Sequence, residues 1–336
     1  MSITTVSRVL NPVAEYPVAA ATRRRVLAAA SALQYSPSAL ARALVTRRSH
    51  MIGVLLGDIV DPYFAEIARG VEDAARKAGY LVIVCNTDRD PAVERRYVET
   101  LSDYRVDALI FVGGDILTQS ERRKLKQVLA VATKRGMLVV ACAGEHAGLP
   151  AIDIDHRAAA HDMTEHLLGL GHQRIGFIGG PADVSTAVQR ESGFRAAMSA
   201  AGLQPTLIAR GDFTYTGGFD AARRLLSKEP PTAIFAANDQ MALGALNAAL
   251  TAGVHVPDDL TVVGFGDTSA AQHARPSLTA VGMPRHEMGL AAMEAILAAL
   301  ESHTTRVEPR QFAYQILVRK SSAPPSAARA QGELVA

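Results

Sequence analysis

Cysteine and long hydrophobic runs are both scarce in this chain of 336 residues. Its two cysteines, Cys85 and Cys142, suit a reducing compartment rather than a disulfide-rich secreted scaffold. No stretch approaches the roughly 18 consecutive apolar residues that a membrane-spanning helix needs. The N-terminus also lacks the basic and apolar segments of a secretion signal. We therefore expect a cytoplasmic protein without a membrane partner, in which Cys85 is a buried thiol.

The sequence motifs of enzymes and of metal sites are missing as well. There is no G-x-G-x-x-G after the first predicted strand, no P-loop, no G-x-S-x-G and no H-E-x-x-H. Cys142 and His146 have no further ligands at a spacing that would complete a zinc site. The sequence therefore predicts no catalytic residues, no cofactor and no metal.

Charge is distributed unevenly along the chain. Residues 1–50 contain seven arginines and one acidic residue, Glu15, and carry a net charge of +6. Because the whole chain has a net charge of +2, the remaining residues carry −4. A basic segment attached to a mildly acidic body is typical of a nucleic-acid-binding module. The alternative is a solvated basic tail.

This basic segment has helical periodicity in three places. Residues 2–11 form one predicted helix, whose apolar face holds Val6, Val9 and Leu10. Its opposite face, free to meet a partner, holds Ile3, Thr4, Ser7 and Arg8. A second helix is predicted over 22–35, with Thr22 as its cap and an apolar face of Val26, Leu27, Ala30 and Leu33. A third, over 39–44, is so short that it needs a partner to persist.

Strands and helices alternate from Met51 onwards. Several apolar runs are continuous, as expected for parallel strands that are buried on both faces. Strands are predicted at 51–56, 81–85, 108–112, 137–141, 174–178, 207–209, 233–237 and 261–265. Helices are predicted at 65–79, 94–104, 121–135, 158–171, 190–201, 217–226 and 240–252. This alternation predicts an α/β fold of doubly wound parallel sheets, and its length predicts two similar lobes.

The order and spacing of the motifs resemble those of the LacI/GalR family of bacterial repressors over nearly the whole chain. The motifs that carry the resemblance are TVSRVLN (5–11), SPSALARAL (36–44), IGVLLGDIVDPYF (52–64), HLLGLGHQRIGFIGGP (166–181), RESGF (190–194), NDQMALGAL (238–246), VPDDLTVVGFGD (256–267) and PSLTAV (276–281). The resemblance implies a small all-α head with a truncated helix-turn-helix, attached to a two-lobed body like type I periplasmic binding proteins.

The resemblance also implies the boundaries of these parts. The head is expected at 1–35, the hinge helix and linker at 36–50 and the effector-binding and dimerisation body at 51–321. Within the body, lobe 1 is expected at about 51–152 and 283–312, and lobe 2 at about 153–282 and 313–321. Residues 322–336 are rich in proline and alanine, and we expect them to be disordered.

The resemblance places DNA contacts in the head and in the hinge. The residues expected in the major groove are Ile3, Thr4, Ser7 and Arg8. Arg8 either grips a base edge or contacts phosphate only. Arg23 and Arg47 are interpreted as phosphate contacts. Leu44 is expected to be the apolar wedge of a hinge helix that kinks the duplex, and a plain linker helix is the alternative.

The predicted reading helix begins directly after Met1. In the LacI/GalR family another helix precedes it and braces it. We expect that the start codon is assigned too far downstream and that the natural protein contains this helix. The alternative is a cytoplasmic sugar-binding or sensor protein whose truncated head no longer binds DNA specifically.

Candidate effector contacts follow the predicted strands of the body. Loops at the carboxyl ends of parallel strands are where ligands of open α/β folds bind. The first two strands are followed by Asp61, Tyr63, Phe64, Asn86 and Asp88. The resemblance adds Asp155, Arg190, Phe213, Asn238, Asp239 and Asp267. Carboxylates, an arginine, an amide and aromatic rings together are typical of a sugar site.

Some of these assignments leave alternatives open. Asp239 and Asp267 either contact the effector or cap local structure. Gly266 stands where the family often has an acid, so the identity of the effector cannot be transferred. No cluster of basic residues is evident in the predicted crevice, which disfavours a phosphorylated effector.

The resemblance implies a ligand-responsive repressor of genes for carbohydrate uptake or catabolism. A homodimer is expected to bind double-stranded, pseudo-palindromic operator DNA, so that the symmetry of the protein matches that of the site. A sugar or sugar derivative between the lobes is expected either to weaken or to strengthen this binding.

Overall fold

The computed structural model describes residues 2–10, 17–35, 48–116, 118–227 and 230–326. The chain divides into two compact units, residues 1–50 and 51–336. Within the described ranges, none of the helices combines the length and the apolar character that crossing a membrane requires. Both cysteines are buried free thiols, which confirms the prediction for Cys85.

The N-terminal unit contains helices α1 (Ile3–Leu10) and α2 (Ala20–Ala32). The hydroxyl of Ser2 accepts a hydrogen bond from the backbone N–H of Thr5 (3.2 Å) and so caps α1. On α1, Val9 is buried and Val6 and Leu10 are half-buried. The predicted outward face, Ile3, Thr4, Ser7 and Arg8, is exposed, which confirms the amphipathic reading of this helix.

Two predictions for the second helix are wrong. Helix α2 begins at Ala20 and has no side-chain cap, so Thr22 lies inside it. Its apolar face is narrower than predicted, because Val26 is buried whereas Leu27 and Leu33 are 46% and 78% exposed. Leu44, Arg47 and the predicted hinge helix lie outside the described residues.

The first sheet of the body is fully parallel. It contains β1 (Met51–Leu56), β2 (Leu81–Asn86), β3 (Ala108–Val112), β4 (Leu138–Cys142), β5 (Ala151–Asp153) and β11 (Arg310–Gln311). The six strands are arranged in the order β11-β5-β4-β3-β1-β2. The register places Leu55 beside Cys85 on one side and Phe111 on the other. The central strands β1, β3 and β4 are almost entirely buried, as their continuous apolar runs predict.

The second sheet repeats this arrangement. It contains β6 (Ile175–Gly179), β7 (Ile208–Arg210), β8 (Ala233–Ala236), β9 (Thr261–Gly266), β10 (Thr279–Gly282) and β12 (Gln315–Leu317). The strand order is β12-β10-β9-β8-β6-β7, and β12 runs antiparallel to β10 while the other pairs are parallel. Two doubly wound sheets with this order form a type I periplasmic-binding-protein-like body, which confirms the predicted fold class.

Helices connect the strands and begin earlier than the apolar periodicity predicts. They are α3 (Pro62–Lys77), α4 (Pro91–Asp103), α5 (Gln119–Lys134), α6 (His156–Gly169), α7 (Ser185–Ala200), α8 (Tyr215–Leu226), α9 (Asp239–Thr251), α10 (Ser269–His273) and α11 (Arg285–Glu301). Asp61 and Asp90 cap α3 and α4, and a proline occupies the first turn of each. The predicted starts at 65 and 94 are late because they leave out these proline-led first turns, in which the aspartate cap and the proline mark the helix start.

The end of the body extends further than predicted. The hydroxyl of Thr261 donates to the carbonyl of Ala323 (2.9 Å) and accepts from the backbone N–H of Ala323 (3.0 Å). The hydroxyl of Ser322 lies 2.7 Å from that of Thr279. These bonds fix residues 322 and 323 against the second sheet, which corrects both the predicted boundary at 321 and the expected disorder of these two residues.

Candidate functional site

A cavity lies between the two sheets, at the carboxyl ends of their strands. Its volume is about 890 Å³, including the part that is open to solvent. Its polar lining consists of Asp61, Thr87, Arg89, Asp90, Glu94, His146, Thr186, Arg190, Asn238, Asp239, Gln240 and Thr268. Its aromatic lining consists of Tyr63, Phe64, Phe111, Phe213 and Phe265. This is the crevice in which open α/β folds bind ligands.

The first-lobe wall is built at the start of α3. The carboxylate of Asp61 accepts a hydrogen bond from the backbone N–H of Tyr63 (3.0 Å), and burial raises the pKa of Asp61. The hydroxyl of Tyr63 donates to the carbonyl of Ala143 (3.4 Å), and burial raises the pKa of Tyr63. The Phe64 ring lies edge-on to that of Tyr63, with 5.2 Å between centroids. This end of α3 therefore presents a carboxylate and two rings to the cavity.

Arg89 lines the same cavity and was missed by the sequence analysis. It follows β2 with a left-handed backbone (φ +57°). Its guanidinium carbon lies 5.8 Å from the ring centroid of Phe64 and 5.7 Å from that of Phe213. Phe64 belongs to the first lobe and Phe213 to the second, so Arg89 bridges the cleft. The available signal was its position just beyond the carboxyl end of a predicted strand.

Arg190 is the buried cation of the second lobe. Its Nη1 donates to the carbonyl of Ala237 (2.6 Å) and its Nε donates to Nδ1 of His156 (3.4 Å). The guanidinium carbon lies 3.9 Å from the ring centroid of Phe265. Burial lowers the pKa of Arg190. Among the residues that the structure describes, no carboxylate lies within ion-pair distance of this guanidinium.

Asn238 lines the cavity, but its amide is engaged within the protein. Its Oδ1 accepts from the backbone N–H of Met241 (2.9 Å), which caps α9, and its Nδ2 donates to the carbonyl of Phe213 (2.9 Å). The second bond holds Phe213 in a left-handed conformation (φ +69°). Asn238 therefore positions the aromatic wall of the second lobe.

Asp239 is not the helix cap that one interpretation proposed. The cap is Asn238, and Asp239 is the first residue of α9. Its Oδ2 accepts from the backbone N–H of Thr268 (2.6 Å), whereas its Oδ1 has no hydrogen-bond partner among the described residues. Burial raises the pKa of Asp239 to about 6. A buried carboxyl in this state can donate or accept a hydrogen bond near neutral pH.

Four predicted effector residues do not line the cavity: Asn86, Asp88, Asp155 and Asp267. Asn86 accepts from the backbone N–H of Ile59 (2.9 Å) and donates to Asp88 (2.6 Å), and so ties together the loops after β1 and β2. Asp155 is exposed and caps α6 through the backbone N–H of Ala158 (2.8 Å). Both Asn86 and Asp155 therefore hold local backbone and lie outside the cavity lining.

Asp267 is the fourth of these residues. Its carboxylate lies 2.6 Å from Nη2 of Arg319 and accepts from Nε2 of Gln272 (3.1 Å). It therefore neither lines the cavity nor caps its own turn with its side chain. The ion pair to Arg319 instead joins the end of β9 to the C-terminal segment.

The two lobes contact each other on both sides of the cavity. On one side the backbone N–H of Asp115 donates to the hydroxyl of Ser185 (3.0 Å), and the backbone N–H of Ser185 donates to the carbonyl of Asp115 (2.9 Å). On the other side Arg285 donates through Nε to Glu66 (2.8 Å) and through Nη2 to the carbonyl of Asp267 (2.9 Å). A ligand in the cavity would therefore sit among contacts that depend on the angle between the lobes.

Comparisons with known proteins agree with this architecture. Residues 1–38 match the family model for bacterial regulatory proteins of the lacI family, and residues 164–322 match a periplasmic binding protein-like domain. The chain is 32% identical to catabolite control protein A of Priestia megaterium over 96% of each protein.

Two solved structures are similar to this chain over nearly its whole length. A lac repressor dimer bound to operator and the anti-inducer ONPF has a TM-score of 0.84 at 27% identity and covers 96% of each chain. The complex of the transcriptional regulator CelR with cellobiose has a TM-score of 0.73 at 31% identity, also covering 96% of each chain. A helical head on a two-lobed binding body defines a class of ligand-binding transcriptional regulators. Within that class, the chain belongs to the lacI family of bacterial regulatory proteins.

Proposed function

We propose that this protein is a cytoplasmic repressor of genes for carbohydrate uptake or catabolism. It binds a pseudo-palindromic operator as a homodimer, and a small sugar-like effector in the cleft controls this binding. It acts by binding and has no catalytic role. The observation that carries the proposal is a combination of two features in one chain. The body has a cavity between its lobes that is lined as a sugar site is, and the N-terminal unit has a helix with an exposed polar and basic face. The similar CelR and lac repressor structures, with a sugar and with operator DNA, support it.

The DNA side of the proposal rests on α1 and α2. Ile3, Thr4 and Ser7 are exposed on one face of α1, where methyl and hydroxyl groups can contact base edges in the major groove. Arg8 is on the same face, and Arg23 is exposed on α2. Guanidinium groups there bind guanine edges or phosphates, and phosphate contacts supply affinity without sequence information.

The effector side rests on seven cavity residues that the sequence had indicated. They are Asp61, Tyr63, Phe64, Arg190, Phe213, Asn238 and Asp239. Asp61 and Arg190 offer an acceptor and a donor for sugar hydroxyls, and the two phenylalanine rings can cover the apolar faces of a pyranose. Asp239 adds a second carboxyl with a free oxygen.

Coupling between the two sites requires that the effector binds one lobe arrangement better than another. The contacts at Asp115 and at Arg285 join the lobes on either side of the cavity, so a ligand that changes the lobe angle must remake them. A coupling free energy of about 1–3 kcal/mol between effector and operator is typical of such regulators. The sign of the coupling decides between induction and corepression.

Fluorescence anisotropy on a duplex from the protein's own promoter region tests the proposal. We expect a complex that survives an excess of random duplex and whose affinity changes when a sugar is added. The same sugar should raise the melting temperature, by an amount that corresponds to about 2.7 kcal/mol at 100 times its dissociation constant. Binding that is weak, steeply salt-dependent and abolished by random duplex would contradict the proposal and favour a sugar-binding sensor without specific DNA recognition.

A further inference from the structure

We propose that Arg89 makes the cleft selective for a sugar that carries an oxyanion, a carboxylate or a phosphate. The inference rests on the proposed function, since it concerns the same effector site, and it names the chemical class of the effector. It replaces the expectation that the crevice lacks the basic groups for a charged ligand.

The surroundings of Arg89 leave its hydrogen-bonding edge available. Its guanidinium lies against the rings of Phe64 and Phe213, at 5.8 and 5.7 Å from their centroids. Contact with ring faces orients the planar group while its N–H bonds point along the edges. In the described part of the chain the guanidinium of Arg89 makes neither an ion pair nor a hydrogen bond. Five N–H donors in a fixed fork match a carboxylate or a phosphate.

Most arginines of the first lobe are arranged differently. Arg95 pairs with Glu121, Arg122 lies 2.8 Å from Asp115, and Arg135 lies 2.7 Å from Asp103. Arg89, in contrast, is half-buried in a cavity and forms an ion pair with none of the described carboxylates; Asp61 and Asp212 act on it only by longer-range Coulombic attraction. Placing a guanidinium in partly desolvated surroundings without a partner is unfavourable, and an anionic ligand would remove that penalty.

The carboxylates that share the cavity already have partners inside the protein. Asp61 accepts from the backbone N–H of Tyr63, and Asp90 accepts from that of Ala92 (2.7 Å). Glu94 lies 3.3 Å from Nε2 of His146. Asp239 accepts from the backbone N–H of Thr268. None of these four acids forms an ion pair with Arg89 in the described part of the chain, although Asp61 attracts it by longer-range Coulombic interaction, so the guanidinium can still bind an external oxyanion.

The backbone at Arg89 and at Phe213 holds the cation and one of its rings in fixed positions. Both Arg89 and Phe213 have left-handed backbones, at φ +57° and +69°, which bulky residues rarely adopt. Such conformations persist where surrounding contacts enforce them and are concentrated at binding sites. A Cβ at Gly113 would lie 2.9 Å from the ring of Phe64, and one at Gly180 would overlap the ring of Phe213. Glycine at positions 113 and 180 therefore leaves the space that the rings of Phe64 and Phe213 occupy.

The second lobe also presents positive charge to the cavity, which favours an anionic ligand. Helix α7 begins at the cavity, where Val184 at its N-terminus supplies no side-chain cap. The partial positive charge of this helix end favours an anion nearby. Arg190 follows on the next turn of α7 and lines the same cavity. A ligand oxyanion would therefore meet Arg89 from one lobe and a positive helix end from the other.

The test uses matched pairs of ligands that differ in the anionic group alone. The carboxylate arm compares D-glucuronate with D-glucose and D-galacturonate with D-galactose. The phosphate arm compares glucose 6-phosphate with glucose and ribose 5-phosphate with ribose. Affinities are measured by calorimetry on the full chain and on the variants Arg89→Gln, Arg89→Lys and Arg96→Gln. Arg96 is exposed on α4 outside the cavity and serves as the matched control.

We expect the anionic member of at least one pair to bind at least tenfold more tightly than its neutral partner. Arg89→Gln should weaken that binding on the order of 10- to 100-fold and change the affinity for the neutral sugar by a much smaller factor. Arg89→Lys should recover part of the loss, because it keeps the charge but not the fork. Arg96→Gln should behave like the parent protein.

Four results would overturn the inference: no anion binds, neutral and anionic partners bind equally, Arg89→Gln leaves anion binding unchanged, or Arg89→Gln weakens both partners of a pair by the same factor. The last result is the one expected if Arg89 were only a latch between the lobes. A neutral sugar that shifts operator affinity would then leave the proposed function intact. Conversely, an Arg89-dependent anion that leaves operator affinity unchanged would support this inference and contradict the proposed function.

Discussion

Asp239 provides a prediction in which stability and pH are linked. Its carboxyl is fully enclosed, one oxygen accepts from the backbone N–H of Thr268 (2.6 Å) and the other has no hydrogen-bond partner in the described structure. Burial raises its pKa from 3.8 to about 6. The folded protein therefore prefers the protonated form of Asp239 more strongly than the unfolded chain does.

The sign and the size of the effect follow from this difference. Above pH 6 the ionised carboxylate of Asp239 costs the folded state about 3 kcal/mol relative to the unfolded chain. The cost shrinks as the pH falls below 6 and vanishes below 3.8, where both states are protonated. Asp239 thus contributes a stability that increases on acidification, opposite to a carboxylate in an ion pair.

The substitution Asp239→Asn removes the charge and keeps an acceptor for the Thr268 N–H. We expect the variant to be more stable than the parent protein at pH 8 by up to about 3 kcal/mol, with a gain that declines between pH 6 and pH 4. Urea unfolding of both proteins at five pH values between 8 and 4 measures this difference. Other titrating groups are shared by the two proteins and cancel in the comparison.

Asp212→Asn is the control of opposite sign. Burial raises the pKa of Asp212, but hydrogen bonds from the hydroxyl (2.6 Å) and the backbone N–H (2.9 Å) of Thr214 outweigh burial and lower it overall. Asp212→Asn should therefore destabilise the protein at pH 8, and its effect should fade on acidification. The reasoning is refuted if Asp239→Asn is less stable than the parent at pH 8, or if its effect does not change with pH.

The remaining predictions concern helix packing and DNA recognition. Gly70→Ala places a methyl group against the carbonyl oxygen of His286, where α3 crosses α11, and should cost about 1–3 kcal/mol in urea unfolding. Gly169→Ala, which meets open space, should be neutral or slightly stabilising, and equal effects of the two would contradict this packing. Arg8→Ala should weaken operator binding about 10- to 100-fold in anisotropy titrations and leave random duplex nearly unaffected. Arg24→Ala should weaken both alike, and an equal loss for Arg8→Ala would show that Arg8 contacts phosphate only.

The sequence was sufficient to predict most of the α/β scaffold. The strands at 51–56 and 108–112 have the predicted bounds, because a continuous apolar run fits a buried parallel strand from end to end. The segment after residue 265, with its short strands and α11, was not assigned. Strands of two or three residues, such as β11 and β12, carry no period of their own and exist through pairing with a neighbour.

The sequence could predict those cavity residues whose positions follow from where a strand ends or a helix begins. Asp61, Phe64 and Arg190 line the cavity because the chain leaves a strand, or begins a helix, at its edge. Whether a polar side chain at such a position faces the cavity depends on which hydrogen-bond or ion-pair partners lie near it in the folded protein. The sequence does not show those partners directly. Asn86 and Asp267 are engaged by Ile59 and Arg319 and so are withdrawn from the cavity.

The central claim is that one protein couples an effector in the cleft to operator binding at the head. The most direct test measures that coupling in both directions. Anisotropy gives operator affinity with and without the effector, and calorimetry gives effector affinity with and without a saturating operator duplex. The account predicts a change of about 5- to 150-fold that is the same factor in both experiments, since linkage is reciprocal. An effector that binds the cleft with one affinity whether or not operator is present would contradict it.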